Sequence, residues 1–191
     1  MAVDPNTGVV FANVQNTSLV GWVERKNTTK SYSFDANDTN QPYDRASVDG
    51  KGPFFSFSAP ISGKYDDAGK AVGPMAPCYK PPWSTLTAID ANTGKVKWAV
   101  PLGLNEGLPA GKQLTGNSGN AGPTVTAGGL VFVGATNDKR FRAFDSTSGK
   151  QLWEASLSGN ANANPISYAG KSGKQYVAIN AGGVINVFAL P

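Results

Sequence analysis

Leu86-Thr-Ala-Ile-Asp90-Ala-Asn-Thr-Gly94-Lys-Val-Lys-Trp98 and Phe141-Arg-Ala-Phe-Asp145-Ser-Thr-Ser-Gly149-Lys-Gln-Leu-Trp153 are two copies of one phrase. They share Ala88 with Ala143, Asp90 with Asp145, Gly94 with Gly149, Lys95 with Lys150 and Trp98 with Trp153. Each copy alternates apolar and polar residues up to the Asp, breaks at Asp-x-x-x-Gly, and alternates again to the Trp. That pattern is a strand, a tight turn and a second strand. The Asp accepts N–H groups of its own turn, the Gly supplies the positive φ that closes it, and a Trp fits between neighbouring sheets while its N–H finds a carbonyl. Trp98 and Trp153 are therefore expected to be buried between sheets, away from any cleft.

Other hairpins surround these two. Residues 1–13 read as strand, the turn Asp4-Pro-Asn-Thr-Gly8 and strand; residues 123–135 and 164–180 repeat that plan, and Val184-Ile-Asn-Val-Phe-Ala-Leu190 adds a last strand. Two hairpins per unit make the four-stranded blade of a β-propeller. The expected fold is all-β, with about three antiparallel blades of a partial propeller. Blade I is 1–16 with 84–101, blade II 121–157 and blade III 162–190. Residues 17–83, rich in Asn, Ser, Thr, Gly and Pro, interrupt blade I as a long insertion, and insertions of that length inside compact domains are usually functional or disordered.

Composition removes several chemistries. The chain has 191 residues, 17 basic against 13 acidic for a net charge of +4, and 23 Gly with 13 Pro. The basic residues are scattered, which gives nucleic-acid binding no stripe to use. With no histidine and the single cysteine Cys78, a Ser-His-Asp triad, a His-ligated zinc, a cysteine metal site and an intrachain disulfide are all excluded. No apolar run reaches the roughly 20 residues of a transmembrane helix. Met1-Ala-Val-Asp begins directly in a strand and turn, so either a signal sequence lies elsewhere or this is not the natural N-terminus.

Further motifs carry a family resemblance. Asp90-x-x-Thr-Gly-Lys-x-x-Trp98, Cys78-x-x-Pro-Pro-Trp83 running into Leu-Thr-Ala-Ile-Asp, Gly128-Gly-Leu-Val-Phe-Val-Gly-Ala-Thr-Asn-Asp138, Arg142-Ala-Phe-Asp145, Gly173-Lys-Gln-Tyr-Val177 and Ala181-Gly-Gly183 occur in this order. Together they resemble the C-terminal blades of the quinoprotein dehydrogenases that use pyrroloquinoline quinone (PQQ), and most of all the glucose dehydrogenase branch. The resemblance implies an eight-bladed ring with quinone and calcium on its axis, an extracytoplasmic (periplasmic) location, and oxidation of a sugar to its lactone. The blades that in the family supply the Asp base, a lysine near the quinone carbonyl and most calcium ligands lie upstream of what this chain resembles. It therefore implies no catalytic residue and no metal ligand here, and an isolated chain without sugar oxidation.

The same resemblance marks cofactor-facing positions. Val10-Phe-Ala-Asn13-Val-Gln15, followed by Gly21-Trp22, is similar to a segment at the rim of the quinone pocket. Asp138 matches a family Asp in its loop, and Asn120 precedes blade II where loops face the axis. The cofactor-binding set is thus Asn13, Asp138, Asn120, Gln15 and Trp22. The alternative reading is that Asn13, Asn120 and Asp138 cap tight turns. The family's His after Ala-Gly-Gly is absent, since Gly183 runs straight into Val184. A second function class also fits the blades: a non-enzymatic scaffold or binding module. Either way, a three-blade arc exposes sheet faces and strand edges, and self-association or further blades are the expected partners.

Overall fold

The computed structural model describes residues 1–16 and 57–189 in full, and the backbone of 19–20, 22–25, 43–46 and 55–56. Its strands are β1 (Ala2–Asp4), β2 (Val9–Gln15), β3 (Leu19–Val20), β4 (Trp22–Arg25), β5 (Tyr43–Ala46), β6 (Phe55–Ser56), β7 (Ser58–Pro60), β8 (Met75–Pro77) and β9 (Ser84–Asp90). There follow β10 (Val96–Pro101), β11 (Thr124–Val125), β12 (Leu130–Val133), β13 (Arg140–Asp145), β14 (Gln151–Ser156), β15 (Ile166–Ala169), β16 (Gln175–Ala181) and β17 (Val184–Ala189). The fold is all-β. Three antiparallel sheets carry it, in the orders β1-β2-β9-β10, β11-β12-β13-β14 and β15-β16-β17. They are blades I, II and III below.

The chain divides into two compact units, Met1–Asn16 with Lys80–Pro191, and Thr17–Tyr79. Within the second unit the strands pair as β3 with β6, β4 with β5 and β7 with β8. The turn between β7 and β8 is organised by Asp66, whose carboxylate accepts the N–H groups of Ala68 at 3.1 Å and Lys70 at 2.8 Å. Polar composition marks this stretch as a long surface insertion; short backbone-paired strands need little apolar sequence, so composition does not reveal them.

The repeated turn forms as its residues dictate. Asp90 Oδ1 accepts the N–H groups of Asn92 (2.8 Å) and Thr93 (3.1 Å), while Asp145 Oδ1 accepts those of Thr147 (3.1 Å) and Ser148 (2.7 Å). Gly94 and Gly149 close the turns at φ 69° and 72°. Strand alternation then deals side chains to two cores, because successive residues point to opposite faces. On β12, Val131 and Val133 join Val9, Phe11, Leu86, Ala88, Ala135 and Phe144 between blades I and II. Phe132 instead joins Phe141, Ala143, Val177, Ile179 and Ala181 between blades II and III. Each fully buried Val, Leu, Ile or Phe contributes about 1.5–3 kcal/mol, so both junctions are driven by apolar burial.

Trp98 fastens the first junction from outside. Its ring lies 5.8 Å from Phe11, its Nε1–H donates to Ser146 O at 3.1 Å, and its six-membered ring covers Gly149 of the neighbouring blade. Trp153, the repeat partner, departs from the expectation of burial. It meets Phe141 and Phe188 edge-on at 5.7 and 5.1 Å yet stays 38% exposed, and it lines a groove. The physical reason is that blade III ends at β17 among the described residues, so no turn equivalent to 145–149 lies over this indole.

The two turn glycines separate backbone strain from packing. A Cβ on Gly94 would meet nothing within 4 Å, whereas one on Gly149 would sit 2.7 Å from Trp98 Cε3, and both have positive φ. Gly94→Val is expected to cost about 1–3 kcal/mol through the left-handed backbone alone. Gly149→Val should cost a further ~1–3 kcal/mol through overpacking. Urea unfolding followed by tryptophan fluorescence measures both, and equal losses would show that Trp98 is not seated on Gly149.

Candidate functional site

The ends of β2 and β9 and the connections 102–123, 134–139 and 157–165 lie at one end of the blades, opposite the Asp-x-x-x-Gly turns. Asn13 and Gln15 are two apart on β2 and so share a face. Asn13 Nδ2 donates to Gly119 O (2.9 Å) and Ala121 O (3.2 Å), and Gln15 Nε2 to Gly119 O (2.8 Å) and Asn120 Oδ1 (3.1 Å). Asn13 Oδ1 in turn accepts the hydroxyl of buried Ser84 at 3.2 Å. The 115–121 segment packs so close that a Cβ on Gly116 would lie 2.3 Å from the backbone of Ser84. Three of the residues expected at the cofactor, Asn13, Gln15 and Asn120, are thus brought together.

Asn120 is held from the other side as well. Its N–H donates to Asn162 Oδ1 at 3.1 Å, Gly122 N–H donates to Asn164 Oδ1 at 2.6 Å, and the Thr124 hydroxyl donates to Pro165 O at 2.5 Å. Asn162 and Asn164 were not singled out from the sequence. The available signal was a short internal repeat, Asn120-Ala-Gly-Pro123 against Asn162-Ala-Asn-Pro165. It places each Asn where it caps the backbone of the preceding copy.

Asp138 belongs to a separate cluster in blade II. Its carboxylate, 1% exposed, pairs with Arg142 Nη2 at 2.5 Å. It also accepts the Thr136 hydroxyl at 2.6 Å and the Leu104 N–H at 2.7 Å. Arg142, itself 2% exposed, donates through Nε to Glu154 at 2.9 Å, and Arg140 bridges Glu154 (3.0 Å) and Glu106 (2.5 Å). Burial pushes the Asp138 carboxyl up, but the hydrogen bond and charge of Arg142, with Thr136 and the Leu104 N–H, outweigh it and hold the group below the usual carboxylate range. Arg142 escaped sequence reasoning because it occupies a strand position that alternation alone cannot tell from a solvated one. Trp22 lies on β4, and its side chain is outside the described residues.

A quinone bearing carboxylates and a calcium ion demand charged partners and clustered oxygen ligands. Asn13 and Gln15 offer amides already bound to backbone carbonyls, while both oxygens of Asp138 are taken. Among the described residues no cluster of three His, Cys, Asp or Glu side chains could hold a metal ion. The set fits a hydrogen-bonding rim, and it does not fit the charge-pairing or calcium-holding part of such a site.

Asp138→Asn would leave buried Arg142 with only the partly exposed Glu154 as a paired carboxylate, and stability should fall by about 3 kcal/mol, the low end for breaking a buried pair, at neutral pH. Because the folded pKa is depressed, this contribution is full above the unfolded value near 3.9 and is lost as pH falls through the folded value. Denaturation at pH 7 and pH 3 is expected to show the gap between wild type and variant narrowing in acid. A gap that widens in acid would reverse the assigned sign.

The comparisons with known proteins agree with this architecture. Residues 1–177 match the family described as "PQQ: Glucose/ethanol/alcohol dehydrogenase, beta-propeller domain". The "Quinate/shikimate dehydrogenase (quinone)" of Acinetobacter baylyi is 47% identical over 114 residues, covering 56% of this chain and 14% of that protein. The "Glycerol dehydrogenase large subunit" of Gluconobacter thailandicus is 36% identical over 196 residues, covering 96% of this chain and 25% of that protein. Among solved structures, a "Europium-containing methanol dehydrogenase" superposes over 93% of this chain and 23% of its own, with TM-score 0.52 and 28% identity. The chain thus spans a quarter or less of the length of these relatives. Relatives named for quinate, glycerol and methanol widen the glucose resemblance to the family as a whole. The three sheets, the docking tryptophan and the match across residues 1–177 place this chain in the PQQ-dependent dehydrogenase β-propeller family, as a fragment of its propeller.

Proposed function

We propose that this chain supplies the C-terminal blades of an extracytoplasmic PQQ-dependent dehydrogenase whose substrate is a polyhydroxylated alcohol, an aldose oxidised at C1 to its lactone. The observation that carries the reading is the family match over residues 1–177, on a sheet arrangement whose loop end gathers Asn13, Gln15 and Asn120. In the assembled enzyme PQQ would supply the two-electron acceptor, and this chain would contribute orientation and electrostatics at its rim. This chain's own part is to hold the rim. Asn13 and Gln15 fix the 119–121 backbone, and the exposed Asn120 side chain would offer its amide to a hydroxyl-bearing ligand. Glucose is favoured because the ordered motifs from Cys78 to Gly183 resemble the glucose branch.

The test replaces the matching quarter of the Gluconobacter thailandicus protein with this chain and reconstitutes the chimera with PQQ and calcium. Dye reduction is expected to require PQQ, and the ratio of glucose to glycerol turnover to rise above that of the parent. A folded, PQQ-binding chimera with an unchanged ratio would overturn the aldose assignment. A folded chimera that reduces dye no faster than free quinone would overturn the dehydrogenase role. The isolated chain with PQQ and calcium is expected to match the quinone-only control.

A further inference from the structure

The connection from blade I to blade II carries a closed loop, residues 104–115, whose two ends meet. Gly116 N–H donates to Gly103 O at 3.0 Å and Asn117 N–H to Leu102 O at 2.8 Å, so the chain leaves and rejoins the connection at one neck. Surface loops of this length, with touching ends and an interior filled by their own side chains, are Ω-loops and are frequently functional. Gln113 does the filling here. Its carbonyl accepts the Asn105 N–H at 2.9 Å, and its Nε2 donates to Leu108 O at 3.1 Å.

The two fastenings of this loop differ in kind. At the neck, a Cβ on Gly103 would lie 2.8 Å from the Thr136 side chain and one on Gly116 2.3 Å from the Ser84 backbone. Next to it the Leu104 N–H donates at 2.7 Å to Asp138, whose carboxylate is 1% exposed. Release there would leave a buried acceptor without its donor, so the neck stays fixed. The outer fastening is Glu106 to Arg140 Nη2 at 2.5 Å, with the Glu106 side chain 64% exposed. An ion pair so open to water is weak and is screened by salt. Its release strands no charge, because Arg140 keeps Glu154 at 3.0 Å and Glu106 passes to solvent. The tip, residues 109–112, is exposed throughout, and a Cβ on Gly111 would meet nothing within 4 Å.

We propose that residues 105–114 open and close as one unit, a strap with a fixed neck whose catch is the salt-sensitive pair Glu106–Arg140. Closed, the strap covers the Arg140 guanidinium; open, it bares that group at the loop end. The neck isolates this motion from the 116–121 segment, so the backbone around Asn120 keeps its place while the strap moves.

Native-state hydrogen exchange of the whole chain, read amide by amide, is the test. The reporters inside the strap are the N–H groups of Asn105, Leu108 and Lys112, bonded to Gln113 O, Asn105 O and Pro109 O. Glu106→Gln keeps the size of the side chain and removes its charge. It is expected to speed all three amides by one common factor, roughly twofold to fivefold, as local opening becomes easier. Raising NaCl from about 20 mM to about 500 mM should do the same in the wild type and leave the variant unchanged. The Gly116 and Asn117 amides should keep their rates in both arms. Three unrelated factors would mean separate fraying in place of a strap, and no acceleration would mean that Glu106–Arg140 is not the catch. Equal acceleration of Gly116 and Asn117 would mean that the neck opens too. Each of these three results overturns the proposal.

Discussion

One indole seated on a neighbour's glycine sets the spacing of blades I and II. Radially arranged sheets diverge outward, so the gap between them is widest at their outer strands. There apolar alternation on the inner strands no longer fills the space. Trp98 on β10 closes the gap by volume and fixes the register by direction, because its Nε1–H reaches only one carbonyl, Ser146 O. Gly149 serves two ends at once: its φ of 72° closes the β13–β14 turn, and its missing Cβ admits the ring. Turn chemistry and inter-blade docking therefore sit in the same few residues, which explains why the phrase repeats as a block.

At the opposite end, order comes from amides. Asn120 is the meeting point: Gln15 of blade I donates to its side chain, and Asn162 from the connection into blade III accepts its backbone N–H. The 102–123 connection is thus held by blade I on one side and by the connection into blade III on the other. A loop held from both sides keeps its remaining hydrogen-bonding groups in fixed positions, and that pre-organisation is what a rim around a ligand needs. Asp138 acts differently. Its carboxylate is consumed by Arg142, Thr136 and the Leu104 N–H, so it ties the 103–120 connection to blade II.

What was legible in the sequence follows from the range of each interaction. The hairpins were readable because alternation and the Asp-x-x-x-Gly turn are local, and so was the identity of the docking residue, since Trp recurs at fixed spacing. The exposure of Trp153 was not, because burial there depends on a further strand that blade III lacks among the described residues, a fact about pairing and not about residues 141–153. The meeting of Asn13, Gln15 and Asn120 spans more than a hundred positions, and the family resemblance, not periodicity, pointed to these residues. Arg142 shows the limit most clearly. Strand alternation tolerates an arginine, but only the buried carboxylate of Asp138 and the partly exposed one of Glu154 explain why it lies 2% exposed.

These features make the loop end a property of neighbouring blades and not of any one of them. In a repeat architecture, stability is a sum over units and their interfaces. Here the positions of the rim amides are set by those interfaces, since removing blade III would release Asn120 N–H and Gly122 N–H from Asn162 and Asn164. The connection that carries these two asparagines is itself anchored by the blade it leads into, because β17 pairs along β16, and β16 packs Val177 and Ile179 against blade II. Blade packing and loop geometry are therefore coupled here: the connection into blade III fixes the loop that leads into blade II.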